Sequence, residues 1–523
     1  MRSTFKISIV ILSMILLNAC EKDKPTPPVL TTTVVTEISY TTATSGGKVT
    51  NEGGATVVTM GICWGTAAKP TIENSIYNMN GSTDAFTCNL TGLTPNTIYY
   101  VRAYATNSSG TGYGEQVSFK TINTEIPDVE TTTILEVSGH SAISGGNIVD
   151  DNGSEVIARG LCWATTANPA INDSKTIDAS GGKGSFSGRL TGLAEGTVYH
   201  VRAYATNSVG TSYGLDCTFT TLSRPVLTTV AISDITLISA TSGGNISFDG
   251  GAQVTASGVC WGTSEEPTIT NNVTTNGVNN GAFTSNLTGL SEGTRYYIRA
   301  YATNSVGTAY GNQLSFVTNV SDIDGNVYHT VIIGTQVWLT ENLKVTHYGN
   351  GDDITYAGGS ISWLDNTAGL YCNYNDDLNN IAVYGRLYNW YSIIDGRKLC
   401  PTGWHVPTDT EWETLGTFLG GPATAGGVLT LAGGKMKEAG LTHWTTMNVG
   451  ADNSSGFTAL PGGRRFDEGT PFGNLNTDGF WWSATEVDAI QAYSRSIYGS
   501  GEFLIRDNFY KKSWGFSVRC LKH

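Results

Sequence analysis

The strongest constraint on the fold is one sequence unit that occurs three times. Its clearest element, Gly-x-Cys-Trp, lies at 61–64, 160–163 and 258–261, so its cysteines are 99 and 98 residues apart. The phrase Arg-Ala-Tyr-Ala-Thr-Asn follows each copy, beginning at Arg102, Arg202 and Arg299. A period of this length is too long for a solenoid repeat and is typical of an independent β-sandwich domain. The sequence therefore predicts a mainly β chain, with sandwich repeats at 28–121, 127–221 and 225–318 and a different domain, the head, at 319–523.

Alternation within the first repeat predicts which side chains face its core. Tyr99, Val101 and Ala103 share one parity of a strand and should point inward. Arg102 and Tyr104 should then lie on the opposite face. A ligand-binding stripe is one interpretation of the repeated arginine, but outward strand positions beside tyrosines are more typical of a solvated surface.

The segment Leu93-Thr-Pro-Asn-Thr-Ile-Tyr99 resembles the Leu-x-Pro-Gly-Thr-x-Tyr pattern of fibronectin type III domains. The resemblance implies that Tyr99, Tyr199 and Tyr296 are corner tyrosines, whose hydroxyl groups bond back to the backbone. The second strand departs from the family, because Ala43-Thr44-Ser45 stands where the usual tryptophan is expected. The tryptophans of Gly-x-Cys-Trp fall on the third strand instead.

Cysteine placement in the repeats favours thiols over disulfides. Each repeat has the cysteine of Gly-x-Cys-Trp, but a second one occurs only at Cys88 in the first copy and Cys217 in the second. A shared bridge would need a shared partner, and none exists. We therefore expect Cys63, Cys162 and Cys260 to be small buried core residues, although an oxidising exterior would permit a bond.

The first twenty residues have the features of an export signal. Arg2 and Lys6 precede an apolar run from Ile7 to Leu17, which is too short to span a bilayer as a helix. The ending Leu17-Asn-Ala-Cys20 resembles a lipoprotein signal-peptidase site, which implies that 1–19 are removed and that Cys20 carries the lipid; an ordinary signal cut near Ala19 is the alternative. Several acyl chains on one residue give stable anchoring. The acidic and lysine residues of the 20–27 linker resemble the surface-export signals of Bacteroidetes-type lipoproteins, so the expected location is the outer membrane, facing the cell exterior.

Charge limits the possible partners. The net charge is −14, and removal of 1–19 takes away two positive charges and no acid, which gives −16. Nucleic acid is therefore excluded as a partner, because its phosphates require a basic surface.

Tryptophan is concentrated in the head, which holds nine of the twelve: Trp338, Trp363, Trp390, Trp404, Trp412, Trp444, Trp481, Trp482 and Trp514. They predict an aromatic core, although single rings could also serve as stacking platforms for sugars. Thr408 and Glu411 form a capping-box pattern that predicts a helix with Trp412, Leu415 and Phe418 on one face. Shorter helices are expected near 386–394 and 435–439, and strands at 493–497, 503–507 and 514–521.

Five short motifs follow one another through the head. They are Asp324-Gly-Asn-x-Tyr328, Ile333-Gly-Thr-Gln-x-Trp-Leu-Thr-Glu-Asn-Leu343, Gly385-Arg-Leu-Tyr-Asn-Trp390, Cys400-Pro-Thr-Gly-Trp-His-Val-Pro-Thr-x-x-Glu-Trp412 and Gly515-Phe-Ser-Val-Arg-Cys520. Together they resemble the Fibrobacter major paralogous domain, and the last two also resemble the C-type-lectin-like and formylglycine-generating-enzyme fold. By the lectin-like analogy, Cys400 and Cys520 would form a disulfide that joins the last strand to the helix. An α+β head is therefore expected.

No motif predicts a particular chemistry. The seven histidines show no metal-ligand spacing, and the paired-cysteine activity of formylglycine-generating enzymes is not transferred. Calcium is the one cofactor that remains open, because Asp322, Asp324 and Asn326 supply oxygen ligands around a glycine; a tight turn explains the same residues. The loop 452–455 has the same ambiguity. Asp352-Asp353 and Asp376-Asp377 could serve as a glycosidase pair, but solvated loop acids are the simpler interpretation.

The resulting hypothesis is a lipid-anchored, non-enzymatic surface protein. Its sandwiches would act as a spacer on the order of 100 Å long, and the head would bind a glycan or a protein, as in adhesion. The alternatives are a polysaccharide-degrading enzyme, or an accessory protein, tethered to the outer membrane, and a structural component assembled with other surface proteins.

Overall fold

The computed structural model describes residues 24–523 except 82–83, 279, 359–360, 423, 425–428, 446 and 469–470. The signal segment and Cys20 lie outside the described residues. The chain is mainly β, as the sequence predicts, and divides between residues 221 and 222 into two compact units. In the described part of the chain, no helix is both long enough and apolar enough to cross a membrane.

Each repeat is a sandwich of one three-stranded and one five-stranded antiparallel sheet. The strands of repeat 1 are β1 (Val29–Thr36), β2 (Ala43–Asn51), β3 (Thr59–Gly65), β4 (Ser75–Asn80), β5 (Phe86–Leu90), β6 (Ile98–Asn107), β7 (Gly110–Tyr113) and β8 (Val117–Lys120). The small sheet has the order β1-β2-β5 and the large one β4-β3-β6-β7, with β8 also paired to β6.

Repeats 2 and 3 have the same strand order. The strands of repeat 2 are β9 (Asp128–Thr131), β10 (Ser141–Asp150), β11 (Ala158–Ala164), β12 (Ser174–Lys175), β13 (Gly184–Thr191), β14 (Val198–Thr206), β15 (Thr211–Tyr213) and β16 (Cys217–Thr220). Those of repeat 3 are β17 (Val226–Ser233), β18 (Ser239–Phe248), β19 (Ala256–Gly262), β20 (Asn272–Val273), β21 (Gly281–Thr288), β22 (Arg295–Thr303), β23 (Thr308–Tyr310) and β24 (Leu314–Val317).

The core of repeat 1 is built as the alternation predicts. Val101 and Ala103 are fully buried between the sheets. Tyr99 lies at the corner, where its hydroxyl accepts a 3.0 Å hydrogen bond from the Thr94 amide. Tyr199 and Tyr296 make the same bond at 3.1 and 3.0 Å, so all three repeats have the corner that the resemblance implies.

The sequence predicts a solvated outer face for the large sheet, but the structure shows this face largely covered. Tyr104 is only 2% exposed and lies beside Gly61 on the neighbouring strand, where a side chain would collide with the Tyr77 carbonyl and crowd the Tyr104 hydroxyl. Arg102 stacks on the Tyr113 ring at 4.5 Å and donates to the Gly114 carbonyl. The arginines of repeats 2 and 3 stack in the same way at 4.7 and 4.6 Å. The Arg-Ala-Tyr phrase and the glycine of Gly-x-Cys-Trp are therefore packing partners rather than a ligand-binding stripe.

The cysteines of Gly-x-Cys-Trp are buried free thiols, but they lie on this outer face and not between the sheets. Cys63 is paired across the strands with Arg102 and donates to the Pro70 carbonyl at 3.3 Å, beneath the loop that follows β3. Burial raises the pKa of Cys63, Cys162 and Cys260 to about 11 each. These thiols are therefore protonated and unreactive at neutral pH.

Repeat 3 continues directly into the core of the head. Val317 and Val320 are both nearly fully buried and belong to the largest apolar cluster of the head. The Thr330 hydroxyl donates to the Val317 carbonyl at 2.7 Å, and the Lys522 ammonium donates to the Gly293 carbonyl in repeat 3. The chain around Val320 therefore belongs to two packed domains at once.

The head consists of small sheets and short helices around one six-stranded sheet. Its strands are β25 (Val320–Ser321), β26 (Val327–Tyr328), β27 (Thr330–Ile333), β28 (Gln336–Leu339), β29 (Thr355–Tyr356), β30 (Leu370–Cys372), β31 (Leu387–Tyr388), β32 (Trp404–His405), β33 (Leu429–Thr430), β34 (Gly462–Arg465), β35 (Phe472–Leu475), β36 (Asp478–Glu486), β37 (Gln491–Tyr498), β38 (Leu504–Lys511) and β39 (Leu521–Lys522). The helices are α1 (Asn379–Tyr384), α2 (Trp390–Ile393), α3 (Asp409–Gly420) and α4 (Gly433–Met436), with a 3-10 turn at Tyr374–Asp376. The six-stranded order is β33-β38-β37-β36-β34-β35.

Helix α3 begins at the predicted capping box: Thr408 accepts from the Glu411 amide, and Glu411 reaches back to the Thr408 amide. Trp412 and Leu415 are buried as expected, but Phe418 is 64% exposed and covers the Gly334 turn instead.

Two other expectations for the head are wrong in part. The helix expected near 386–394 is only the single turn of α2, because Leu387 and Tyr388 pair with β30. The strand expected at 514–521 is reduced to β39, since Gly515, Phe516 and Ser517 each bridge to a different neighbour and form no ladder.

Candidate functional site

The family motifs form structural bonds in the core of the head. The Asn342 side-chain oxygen accepts from the Trp481 indole at 2.8 Å and from two nitrogens of Arg519 at 3.1 and 2.9 Å. Arg519 is fully buried, and burial lowers its pKa to about 9. One buried polar network thus holds the motif around Asn342 and the closing motif together. This structural role explains why Asn342 and Arg519 are present without requiring a ligand.

Cys400 and Cys520 are joined by a disulfide, the pairing that the lectin-like analogy implies. The bond closes a loop of 120 residues beside β32 and β39, which pair with each other. Cys372 is a buried free thiol, and burial raises its pKa to about 12.

Protein donors satisfy both carboxylates of the oxygen-rich turn at 322–326. Asp322 accepts from the amides of Asp324 and Asn326, from the Asn326 side chain and from the Tyr328 hydroxyl, at 2.6 to 2.9 Å. A carboxylate has about four acceptor sites, so protein donors fill those of Asp322. Asp324 instead bonds Thr346 and His347. Within the described ranges, no group of three His, Cys, Asp or Glu side chains could hold a metal ion. These contacts favour the tight turn over a calcium loop.

The other acidic candidates do not form a common site. Asp352 pairs with Arg397 at 3.2 Å, and Asp353 pairs with His347 at 2.9 Å. Asp376 accepts from the Tyr356 hydroxyl, and Asp377 accepts from the Asn379 amide at the start of α1. In the loop at 452–455, Asp452 accepts from the Ser454 amide.

Most tryptophans of the head lie in its core, and one lies nearer the surface. Eight of the nine are at most 5% exposed, so they cannot present a face to a sugar. Trp514 is the exception, with an intermediate exposure. It lies three residues after the end of β38.

The rings around Trp514 form a continuous cluster with an arginine at its centre. The guanidinium of Arg464 lies 4.6 to 5.5 Å from the centres of four rings, which belong to Phe466, Phe480, Tyr510 and Trp514. Phe466 and Tyr510 contact Trp514 with ring centres 5.1 and 5.0 Å apart. We call these five residues the aromatic–arginine cluster. Because cation–π contacts hold each group in place, the partly exposed ring of Trp514 is presented in one orientation.

The Asp467 carboxylate holds the Trp514 ring in this orientation. It is 4% exposed and accepts from the Trp514 indole at 3.1 Å, the Lys511 ammonium at 3.0 Å and the Ser513 hydroxyl at 3.2 Å. Burial opposes ionisation, but these donors outweigh it and lower the pKa of Asp467. The ionised carboxylate therefore acts as a positioning group for Trp514.

Two further acids lie near Arg464, and burial makes their ionisation less favourable than that of Asp467. Burial raises the pKa of Asp507 to about 6, although the Ser496 hydroxyl bonds it at 2.7 Å. Burial also raises the pKa of Asp478, which accepts from the Asn474 side chain. Perturbed carboxyl groups of this kind are concentrated at functional sites, although structural networks also produce them.

Sequence reasoning missed most of this cluster. Trp514 was one of nine equivalent tryptophans, and nothing in the local pattern distinguished Arg464 from the buried Arg465 beside it. Arg464, Asp467 and Trp514 come together because Arg465 in β34 bridges to Gly515, which follows β38. This contact joins distant parts of the chain, so no short motif could have indicated it.

Comparison with known proteins gives a family match within the head. The search of curated proteins finds no match. Among solved structures, the crystal structure of the FN1–FN3 domains of chicken CNTN1 aligns with 56% of this chain and 99% of its own, at 14% identity and a TM-score of 0.20. Residues 331–522 match the family model of the Fibrobacter succinogenes major domain, as the motifs of the head indicate.

Proposed function

We propose that this protein is a surface-displayed binding protein whose head recognises a glycan at the aromatic–arginine cluster. The observation that carries the proposal is Trp514, the one head tryptophan that is not buried and that is oriented by Asp467 beneath it. Sugar rings stack on aromatic faces, and a ring that is already fixed loses little entropy on binding. The sandwich repeats and the Fibrobacter domain support an extracellular role, and the anchor predicted at Cys20 would hold the protein at the membrane.

The test is a glycan array with the purified full chain, followed by titration of each hit. Trp514→Ala should weaken binding by at least about tenfold, which corresponds to ~1.4 kcal/mol, and should leave the far-UV spectrum unchanged. Phe418→Ala is the matched control, because it removes an exposed aromatic ring elsewhere on the head. Full binding by Trp514→Ala, or an array without hits for a folded sample, would contradict the proposal.

A polysaccharide-degrading enzyme is the second candidate, and one observation favours it. Asp507, with its pKa raised to about 6, has the protonation behaviour of a general acid and lies near the same cluster. Release of reducing ends from a polysaccharide, abolished by Asp507→Asn with binding retained, would establish this alternative.

A further inference from the structure

Strand β4 of repeat 1 has a free edge. It pairs with β3 over its full length, and it is the outermost strand of its sheet in the described part of the chain. The Gly81 amide bonds the Val58 carbonyl across this pair. In an antiparallel pair the backbone groups alternate in direction, so those of Ile76, Asn78 and Asn80 point away from β3. Three residues therefore present unpaired donors and acceptors along one edge.

Exposed apolar side chains flank this edge. Ile76 is 38% exposed, Tyr77 44% and Ile72, in the preceding loop, 40%. A groove of about 580 Å³ is lined by Ile76, Asn78 and Asn80 of this strand and by Ile72 and Tyr104. No charged residue lines this groove. An uncharged, apolar edge is the kind that adds another strand.

Repeats 2 and 3 carry more polar residues at the same positions. Lys175 stands opposite Cys162 as Ile76 stands opposite Cys63, and its ammonium bonds the Ile171 carbonyl at 2.8 Å. Further along the strand of repeat 2, Asp178 is paired with Arg159 at 2.7 Å. In repeat 3 the equivalent of Met79 is Asn276, whose side chain bonds the Thr284 carbonyl. Lysine and paired charges are ordinary means of blocking an edge; repeat 2 has both and β4 has neither. The edge strand of repeat 3 is also uncharged, but it is only two residues long, Asn272–Val273.

We propose that β4 pairs with the β4 of a second copy of this chain, antiparallel about a two-fold axis at Asn78. Asn78 would then face Asn78 of the second copy, and Ile76 would face Asn80 of the second copy. The strand itself carries no charge, so two identical edges meet without like-charge repulsion, and such isologous contacts are the commonest way to form a dimer. The two five-stranded sheets would become one continuous sheet, with side chains of each copy at the groove of the other.

The expected association is weak. A six-residue strand is about 20 Å long, and this single contact buries less than the ~800 Å² per partner that is usual for a stable complex. The dimer should therefore form only at high local concentration, on the order of micromolar or above.

Sedimentation velocity over about a hundredfold range of concentration tests this proposal. The parent and all variants are the full chain with Cys20→Ser, which cannot be acylated at that position. We expect a concentration-dependent dimer for the parent and at least about tenfold weaker association for Ile76→Lys, which places at β4 the residue that repeat 2 already carries. Asn80→Pro should act similarly, because it removes an outward amide and leaves the pairing with β3 intact.

Val273→Lys is the matched control, since Val273 occupies the position of Ile76 in repeat 3. It should dimerise as the parent does, and all variants should have the parent's thermal stability. A parent that stays monomeric at the highest concentration would overturn the proposal, as would an Ile76→Lys variant that dimerises normally. A monomer that binds a synthetic peptide with the β4 sequence would show an edge that accepts foreign strands, and would equally overturn self-pairing.

Discussion

Replacement of Asn342 by leucine should destabilise the head severely, although Asn342 belongs to a family motif that could be mistaken for a binding site. The substitution keeps the approximate volume and removes both ends of the amide. Arg519 would lose two of its hydrogen bonds and keep those to the carbonyls of Leu339 and Phe457, at 3.0 and 2.7 Å. The Trp481 indole would lose its acceptor, and the Tyr384 carbonyl would lose its 2.9 Å donor.

The magnitude follows from the burial of these groups. Each orphaned neutral group costs about 1–3 kcal/mol, and breaking one side of a buried charged network costs about 3–5 kcal/mol. Because partial relaxation reduces the sum, we expect a loss of about 4 kcal/mol, a large share of the roughly 5–15 kcal/mol that a domain has.

Urea unfolding followed by tryptophan fluorescence measures this loss, because nine of the twelve tryptophans report on the head. Asn508→Leu makes the same change on an exposed position of β38 and should alter the unfolding free energy by less than about 0.5 kcal/mol. A loss below about 1 kcal/mol for Asn342→Leu would refute the reasoning, and would reopen a ligand-binding role for this motif.

Two other changes test the electrostatic and covalent links of the head. Cys400→Ser together with Cys520→Ser should lower its unfolding free energy by about 4–5 kcal/mol, because the bond closes a long loop; reduction of the parent should have the same effect in urea, and an unchanged midpoint would contradict it. The hydrogen bond that His347 donates to the Asp324 carboxylate raises the pKa of His347. This contact therefore contributes stability at pH values below the unfolded-state pKa of histidine, and the contribution is lost as the pH rises through the raised value; an NMR titration should show the pKa of His347 falling in Asp324→Asn. Burial raises the pKa of Asp507 to about 6. The unfolded state therefore ionises first, and the parent should lose stability as the pH rises from about 4 to about 6. Asp507→Asn should remove that loss, and identical pH profiles of the two proteins would count against the buried carboxyl.

The repeat architecture could be predicted from the sequence alone. A period near one hundred residues, strand alternation and the corner tyrosines are local or periodic signals, and each requires only knowledge of neighbouring residues. The start of helix α3 could also be predicted locally, because its capping box lies within four consecutive residues that begin at Thr408. The disulfide partner of Cys400 came from the family resemblance, not from local rules.

What lies on each face was decided by tertiary contacts. Tyr104 has the parity of a solvent-facing residue, yet it is buried because Gly61 leaves room for its ring and its hydroxyl bonds the Asn78 side chain. Phe418 has the spacing of a core residue, yet it is 64% exposed among the residues that the structure describes. Periodicity indicates which residues share a face, but the partner that covers a face comes from elsewhere in the chain.

The candidate binding surface depended entirely on the tertiary structure. Arg464, Asp467 and Trp514 come together only because Arg465 in β34 bridges to Gly515, which follows β38. The free edge of β4 is similar: its residues are uncharged in the sequence, but only the strand order shows that nothing in the described chain pairs with them. Composition and pattern determine which elements form, and the packing of distant elements determines which side chains remain available for recognition.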